Sequence, residues 1–255
     1  MKPKASISGA SPAPVFAIGE PGTSTPVVKR QSDQAFDVLY RAIVRCEIMP
    51  GATVSEAQLA ERFGLARASA RAAVDRLSIV GMLRPVHRRG YIVKPITLRD
   101  VNDLFQLRTI IEVAANRLAA GRVDEFSLRR LDRACSQRYR LGDRDSESKF
   151  LQANSEFHLT VAMVTGNDRL VAALGQILKE MERLIHIGLS LRNRSEEIHQ
   201  EHQSLIDALA GGDADEAERL TREELAASKS MVLDSLMSSA DLRDVSISYG
   251  RTDHS

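Results

Sequence analysis

The stretch "ERFGLARASARAAVDRLSIVGML", residues 61–83, decides how this chain is read. Ala70, Ala73, Val74 and Leu77 recur at spacings of three and four and, with Leu65, make one apolar helix face. The opposite face carries Arg67, Arg71 and Arg76, interrupted only by small residues and Asp75. A helix needing only solubility mixes Glu with Arg, because opposite charges four apart stabilise it. An arginine face with so little acid fits a polyanionic partner.

The flanking segments give that helix a context. A preceding helix is expected from about residue 32 to 47, with Phe36, Leu39, Tyr40, Ile43 and Val44 inside. It stops at "MPGATVSE", residues 49–56, where Pro50 and Gly51 force a turn. Ser55 is a suitable N-cap for the short helix "EAQLAERFG", which Gly64 ends. Beyond Gly81, "MLRPVHRRGYIVKP" reads as two short apolar strands around a basic turn, with Gly90 giving conformational freedom. Helix, helix, turn, helix and hairpin is the order of a winged helix-turn-helix. In such a motif the second helix of the turn enters the major groove, its first residues at base edges. Here these are Arg67, Ser69 and Arg71, and the wing adds His87, Arg88, Arg89 and Gly90 for phosphates or the minor groove.

After Pro95 the pattern stays helical to about residue 237. Helices are expected near 97–121, 124–142, 145–165, 167–190, 195–210 and 213–237, broken at Gly and Asn positions. The fold class is therefore mainly α: an N-terminal winged helix-turn-helix followed by an antiparallel six- to seven-helix bundle. Residues 1–26, rich in Pro, Ser and Gly, read as a flexible tail, 27–96 as the DNA-binding domain, 97–237 as an all-helical domain, and 238–255 as a second tail.

Composition agrees with that division. Of 255 residues 43% are hydrophobic but only 4% aromatic, so the core must be Leu, Ile, Val and Ala. The net charge of +1 hides a split: residues 62–94 hold eight Lys/Arg and one acid, while 97–237 hold nineteen and twenty-four. The basic part faces the polyanion. No run of eighteen apolar residues occurs, and Cys46 and Cys135 lack metal spacing. The expectation is a cytoplasmic protein without a membrane span, with both thiols buried.

Residues 40–93, "YRAIVRCEIMPGATVSEAQLAERFGLARASARAAVDRLSIVGMLRPVHRRGYIV", resemble the N-terminal domain of GntR-type bacterial transcription regulators. The segments "DVNDLFQLRTIIEVAANRLAA", "NSEFHLTVAMVTGNDRL" and "EHQSLIDALAGGDADEAERL" resemble the all-helical FCD ligand domain of the FadR subfamily. The resemblance spans about residues 32–232. It departs from the family pattern at Ala57, Ala66 and Ser69.

The resemblance implies a homodimeric, ligand-responsive regulator, a repressor of metabolic genes bound to a palindromic double-stranded operator. It also implies a divalent metal inside the bundle. Asn154 and His158 are four apart and share a helix face. With His202 and Glu224 they match a family set of one Asp and three His, here with Asn for Asp and Glu for the last His. Such a set suits zinc, nickel or manganese. Arg108 and Glu112 read as an i,i+4 ion pair, and in the wider family an Arg here faces the pocket, where it grips a carboxylate. The effector residues are then Arg108, Asn154, His158 and His202, and the effector a small carboxylate metabolite. His186 and His199 fall outside this pattern and are expected at the surface or pocket rim. The alternative is a metal-dependent helical-bundle enzyme using the His/Glu cluster. No HExxH helix, nucleophile motif or phosphate loop supports it, so no catalytic residues are assigned.

Overall fold

The computed structural model describes residues 30–135, 139–189 and 193–238, so the expected tails at 1–26 and beyond Ser238 lie outside the described residues. Three helices and a small sheet come first: α1 (Gln31–Val44), β1 (Thr53–Val54), α2 (Glu56–Arg62), α3 (Arg67–Ile79), β2 (Leu83–Val86) and β3 (Gly90–Val93). Ser55 and Gln58 form a reciprocal capping box that starts α2. The sheet order is β1-β3-β2, all antiparallel, with Val54 opposite Tyr91 and Val86 opposite Gly90. The third strand, β1, was not expected. At two residues it has no alternation to detect, and pairing with β3 makes it a strand.

Leu39 and Ile43 of α1 close with Leu59, Val74, Leu77, Leu83 and Val93 into the core of this winged unit. Gly90 is fixed there for two reasons. Its φ is +85°, and a β-carbon would lie 2.5 Å from the Val54 carbonyl oxygen.

Six helices follow: α4 (Leu98–Ala119), α5 (Glu125–Cys135), α6 (Arg144–Val164), α7 (Asp168–Leu189), α8 (Ser195–Gly211) and α9 (Ala214–Ser238). Thr97 and Asp100 cap α4, and Asp143 caps α6. The expected helix over 124–142 is shorter: its described part ends at Cys135, and Tyr139–Arg140 are not helical. There Tyr139 packs on Phe150 and accepts a hydrogen bond from the Arg194 amide at 3.0 Å.

The end of α1 enters the bundle. Cys46 and Ile96 belong to the same buried cluster as Val101, Phe105, Leu184 and Ile187. The Cys46 thiol faces the Arg183 carbonyl at 3.6 Å, and Arg45 pairs with Asp145 of α6 at 2.6 Å. Both cysteines are free and buried, as expected. His186 is fully buried, not at the surface or pocket rim as expected. Its ring lies 3.4 Å from Glu147 and 3.3 Å from Ser148, and burial, working against Glu147, pushes its pKa down to about 4. His186 lies in the last turn of α7, where Ile187, Gly188 and Leu189 are also buried, so this end of the helix is enclosed on more than one face.

Two predictions follow from this packing. Gly90→Ala should cost about 2–3 kcal/mol in chemical denaturation, because strain and contact add. Gly81→Ala should cost about 1 kcal/mol, since it shares the positive φ but meets nothing within 4 Å. Equal costs would remove the role given to Val54. Unfolded His186 takes a proton near pH 6.5 while the folded ring stays neutral to about 4, so stability falls as pH drops through that window. Between pH 7 and 5 the wild type should lose about 2 kcal/mol more than His186→Gln. Parallel losses in urea titrations would contradict this.

Candidate functional site

The first candidate surface is the start of α3. Ala66 supplies no side-chain hydrogen bond to the α3 N-terminus, so its first N–H groups face outward without a side-chain acceptor. Arg67 and Arg71 are exposed and Ser69 is half-buried. Among the described residues, neither Arg67, Arg71, Arg88 nor Arg89 joins an ion pair. Arg76 differs from the reading of the sequence. It pairs with Asp33 of α1 at 2.7 Å and stacks 4.1 Å over the Phe36 ring, so it braces the fold. The arginine face open to a partner is thus Arg67 and Arg71.

The wing stands beside it. Arg67 and Gly90 line one surface depression of about 450 Å³, together with Ser55, Ala57 and Tyr91. His87, Arg88 and Arg89 are exposed, and Arg88 holds the left-handed conformation at φ 59°. A residue other than glycine adopts that conformation at a cost of about 1–2 kcal/mol. Gly90 itself is half-buried against β1, so its structural duty is to shape the turn that presents the wing cations.

The second candidate site is a cluster of ionisable side chains inside the bundle. α6 contributes His158 and Asn154, α8 His202, and α9 Glu224. His158, His202 and Glu224 are buried, and each offers a ligand atom within 4.8 Å of the others. His158 Nε2 lies 3.2 Å from Glu224 Oε1, yet makes no hydrogen bond there. His202 Nε2 and the Asn154 side-chain oxygen are also buried without a partner. The second nitrogen of each imidazole is backed by a carboxylate: His202 Nδ1 is 3.0 Å from Asp132, and His158 Nδ1 is 3.6 Å from Glu112. That arrangement turns the two Nε2 atoms toward a common point. Phe157 stacks on the His202 ring at 4.0 Å and holds its plane.

The electrostatics are tightly matched. Burial opposes charge on His158, but Glu112 and Glu224 outweigh it and raise its pKa. Burial would likewise raise the Glu224 carboxyl, yet His158 beside it holds the group down at about 2. The cluster is thus built around positive charge between carboxylates. Arg108, almost wholly buried, donates from Nε to Glu112 at 2.8 Å and leaves Nη2 without a partner. Arg108, Asn154 and Glu224 all line a cavity of about 860 Å³.

Glu112 and Asp132 were not singled out for this cluster from sequence. Glu112 reads as the partner of Arg108, and Asp132 stands seventy residues from His202, so only the folded chain joins them. Asp132 also lies 2.6 Å from His199, which is part-exposed and sits at the edge of the cluster.

Comparison with known proteins agrees on both halves. Residues 31–93 match the model of the bacterial regulatory proteins of the gntR family, and residues 103–227 match the FCD domain. The chain is 24% identical over 194 residues to the HTH-type transcriptional repressor RspR of Escherichia coli K12, covering 76% of this chain and 85% of that protein. It is 25% identical over 194 residues to the HTH-type transcriptional regulator LutR of Bacillus subtilis, covering 68% and 87%. Among solved structures, E. coli McbR/YncC shares the fold with a TM-score of 0.62 at 20% identity, over 81% of this chain and 99% of that one. The winged unit and the bundle, each matched by its own model in the same order, make this chain a GntR-family regulator with an FCD domain, a DNA-binding protein and not an enzyme.

Proposed function

We propose that this regulator is a homodimeric repressor that leaves its palindromic operator when a small carboxylate binds inside the bundle. Residues 27–96 carry DNA binding, and 97–237 carry effector binding and dimer contacts. The observation that carries the DNA reading is that Arg67 and Arg71 are exposed and unpaired on a helix that starts beside a basic wing. Arg71 and Arg67 suit bidentate contact with guanine, Ser69 suits a base edge or phosphate, and His87, Arg88 and Arg89 suit the flanking backbone. That RspR is named a repressor supports the sign of the response.

Dimerisation is supported by α4, where Leu107, Ile110, Ala114 and Leu118 form an exposed apolar stripe. A palindrome read by two α3 helices requires that two-fold partner.

The bundle cluster fits a divalent ion. His158, His202 and Glu224 would hold it, with the Asn154 oxygen as a weaker fourth ligand; two imidazoles and oxygen donors suit zinc, nickel or manganese. The fit rests on the buried Nε2 and Oδ1 atoms that lack partners. The ion would supply positive charge toward the cavity for an effector carboxylate. Arg108 Nη2 offers a second anchor for the same group.

Arg71→Ala should cost about 1–3 kcal/mol on the operator and relax preference at one base pair. Arg89→Ala should weaken operator and random DNA alike and lower the salt slope by about one. Equal losses from Arg71→Ala on every sequence would refute its recognition role. Arg88→Gly separates stability from function. It should raise stability by about 1 kcal/mol through relief of the left-handed strain, while weakening DNA binding. For the bundle, a chelator should lower the melting temperature of the wild type and leave His202→Ala unchanged. A wild type indifferent to chelator would remove the ion from the account.

A further inference from the structure

The cavity that holds Arg108, Asn154 and Glu224 is not confined to the bundle. Tyr40, Arg41 and Val44 of α1 and Arg45 just beyond it, all in the DNA-binding unit, line the same space. We propose that the effector is a carboxylate with an apolar body that reaches from the cluster to α1 and touches the DNA-binding unit directly. The proposal rests on the reading of the cluster as a carboxylate site, and adds the ligand's shape and its second point of contact.

Three observations support it. Of the residues that line the cavity, Arg108 and Asn154 are the two with a buried side-chain atom that lacks a partner, Nη2 and the amide oxygen. Between these two residues and α1 the cavity presents Leu151, Met181, Ile185 and Leu189, with Ser148, Gln152 and Glu182 among them. Near α1, Arg45 is already paired with Asp145, and Val44 and Tyr40 offer apolar surface.

The reach follows from the helices. α6 and α7 run antiparallel, with Ser148 opposite His186 at 3.3 Å. α1 meets α6 at the same end, through Arg45 and Asp145. From Asn154 back to Ser148 is six residues along α6, about 9 Å at the helical rise. A carboxylate anchored at Arg108 with a short body stops before α1, whereas a longer one arrives there. The long ligand therefore gains contacts that depend on where the winged unit sits on the bundle, and such differential contact is what shifts an equilibrium between placements.

The test uses full-length protein and three probes, butanoate, hexanoate and octanoate. Calorimetric titration should show affinity rising about threefold for each added methylene, somewhat under the full transfer value because the cavity is open to solvent. Octanoate, and not butanoate, should slow amide hydrogen exchange in α1, a readout that needs no variant. Val44→Ala should weaken octanoate several-fold and leave butanoate unchanged. Affinity independent of chain length, or α1 exchange untouched by octanoate, overturns the bridge. If Arg108→Gln still abolishes binding of all three acids in that case, the carboxylate reading stands and only the bridge falls. If butanoate binds both Arg108→Gln and His202→Ala as well as wild type, the carboxylate reading falls and takes the bridge with it.

Discussion

The structure depends on keeping charge in the middle of a helical bundle. Arg108 and Glu112 on α4, Asp132 on α5, His158 on α6, His202 on α8 and Glu224 on α9 are all buried. Removing such groups from water is costly unless each finds opposite charge or a hydrogen bond. The pairs observed meet most of that demand: Arg108 with Glu112, His202 with Asp132, and His158 between two carboxylates. His202 Nε2 and the Asn154 oxygen remain without a partner, and His158 Nε2 meets Glu224 only as an ion pair. A chain selected only for stability would fill this space with Leu. These unmet valences are the clearest mark of a site in the bundle.

The cavity beside this cluster reaches the contact between the two halves of the molecule. It is walled by α6 and α7, and these helices also receive the end of α1. Cys46 and Ile96 are shared with the bundle core, so the winged unit is seated by packing and by the Arg45–Asp145 pair. A change in the cavity needs no long relay to reach α1, because α1 is part of its wall. From α1 the route to DNA is short: Arg76 of α3 is held to Asp33 and Phe36 of α1.

Much of this was legible in the sequence where the signal is local. Helical periodicity and glycine stops place α3 and α4 within a few residues, because one amphipathic face and one cap define each element. Asn154 and His158 share a face by spacing alone, and the family pattern adds His202 and Glu224. Three features were not legible, each for a physical reason. β1 has no periodicity of its own and exists through pairing with β3. Asp132 acts across seventy residues on His202, and no local pattern encodes that distance. Arg76 lies five residues beyond Arg71, about 140° around α3, and only the packing of α1 brings Asp33 and Phe36 against it while Arg71 stays open.

The central claim is that a divalent cation completes the buried cluster and makes it a carboxylate site. The most direct measurement is anomalous diffraction, at the absorption edge of the metal found by elemental analysis, on crystals of protein purified without chelator. The account predicts about one ion per chain, with a peak about 2.0–2.1 Å from the Nε2 atoms of His158 and His202 and within bonding reach of Glu224. No peak, with His158 instead hydrogen-bonded directly to Glu224 and a proton in the metal's place, would contradict it.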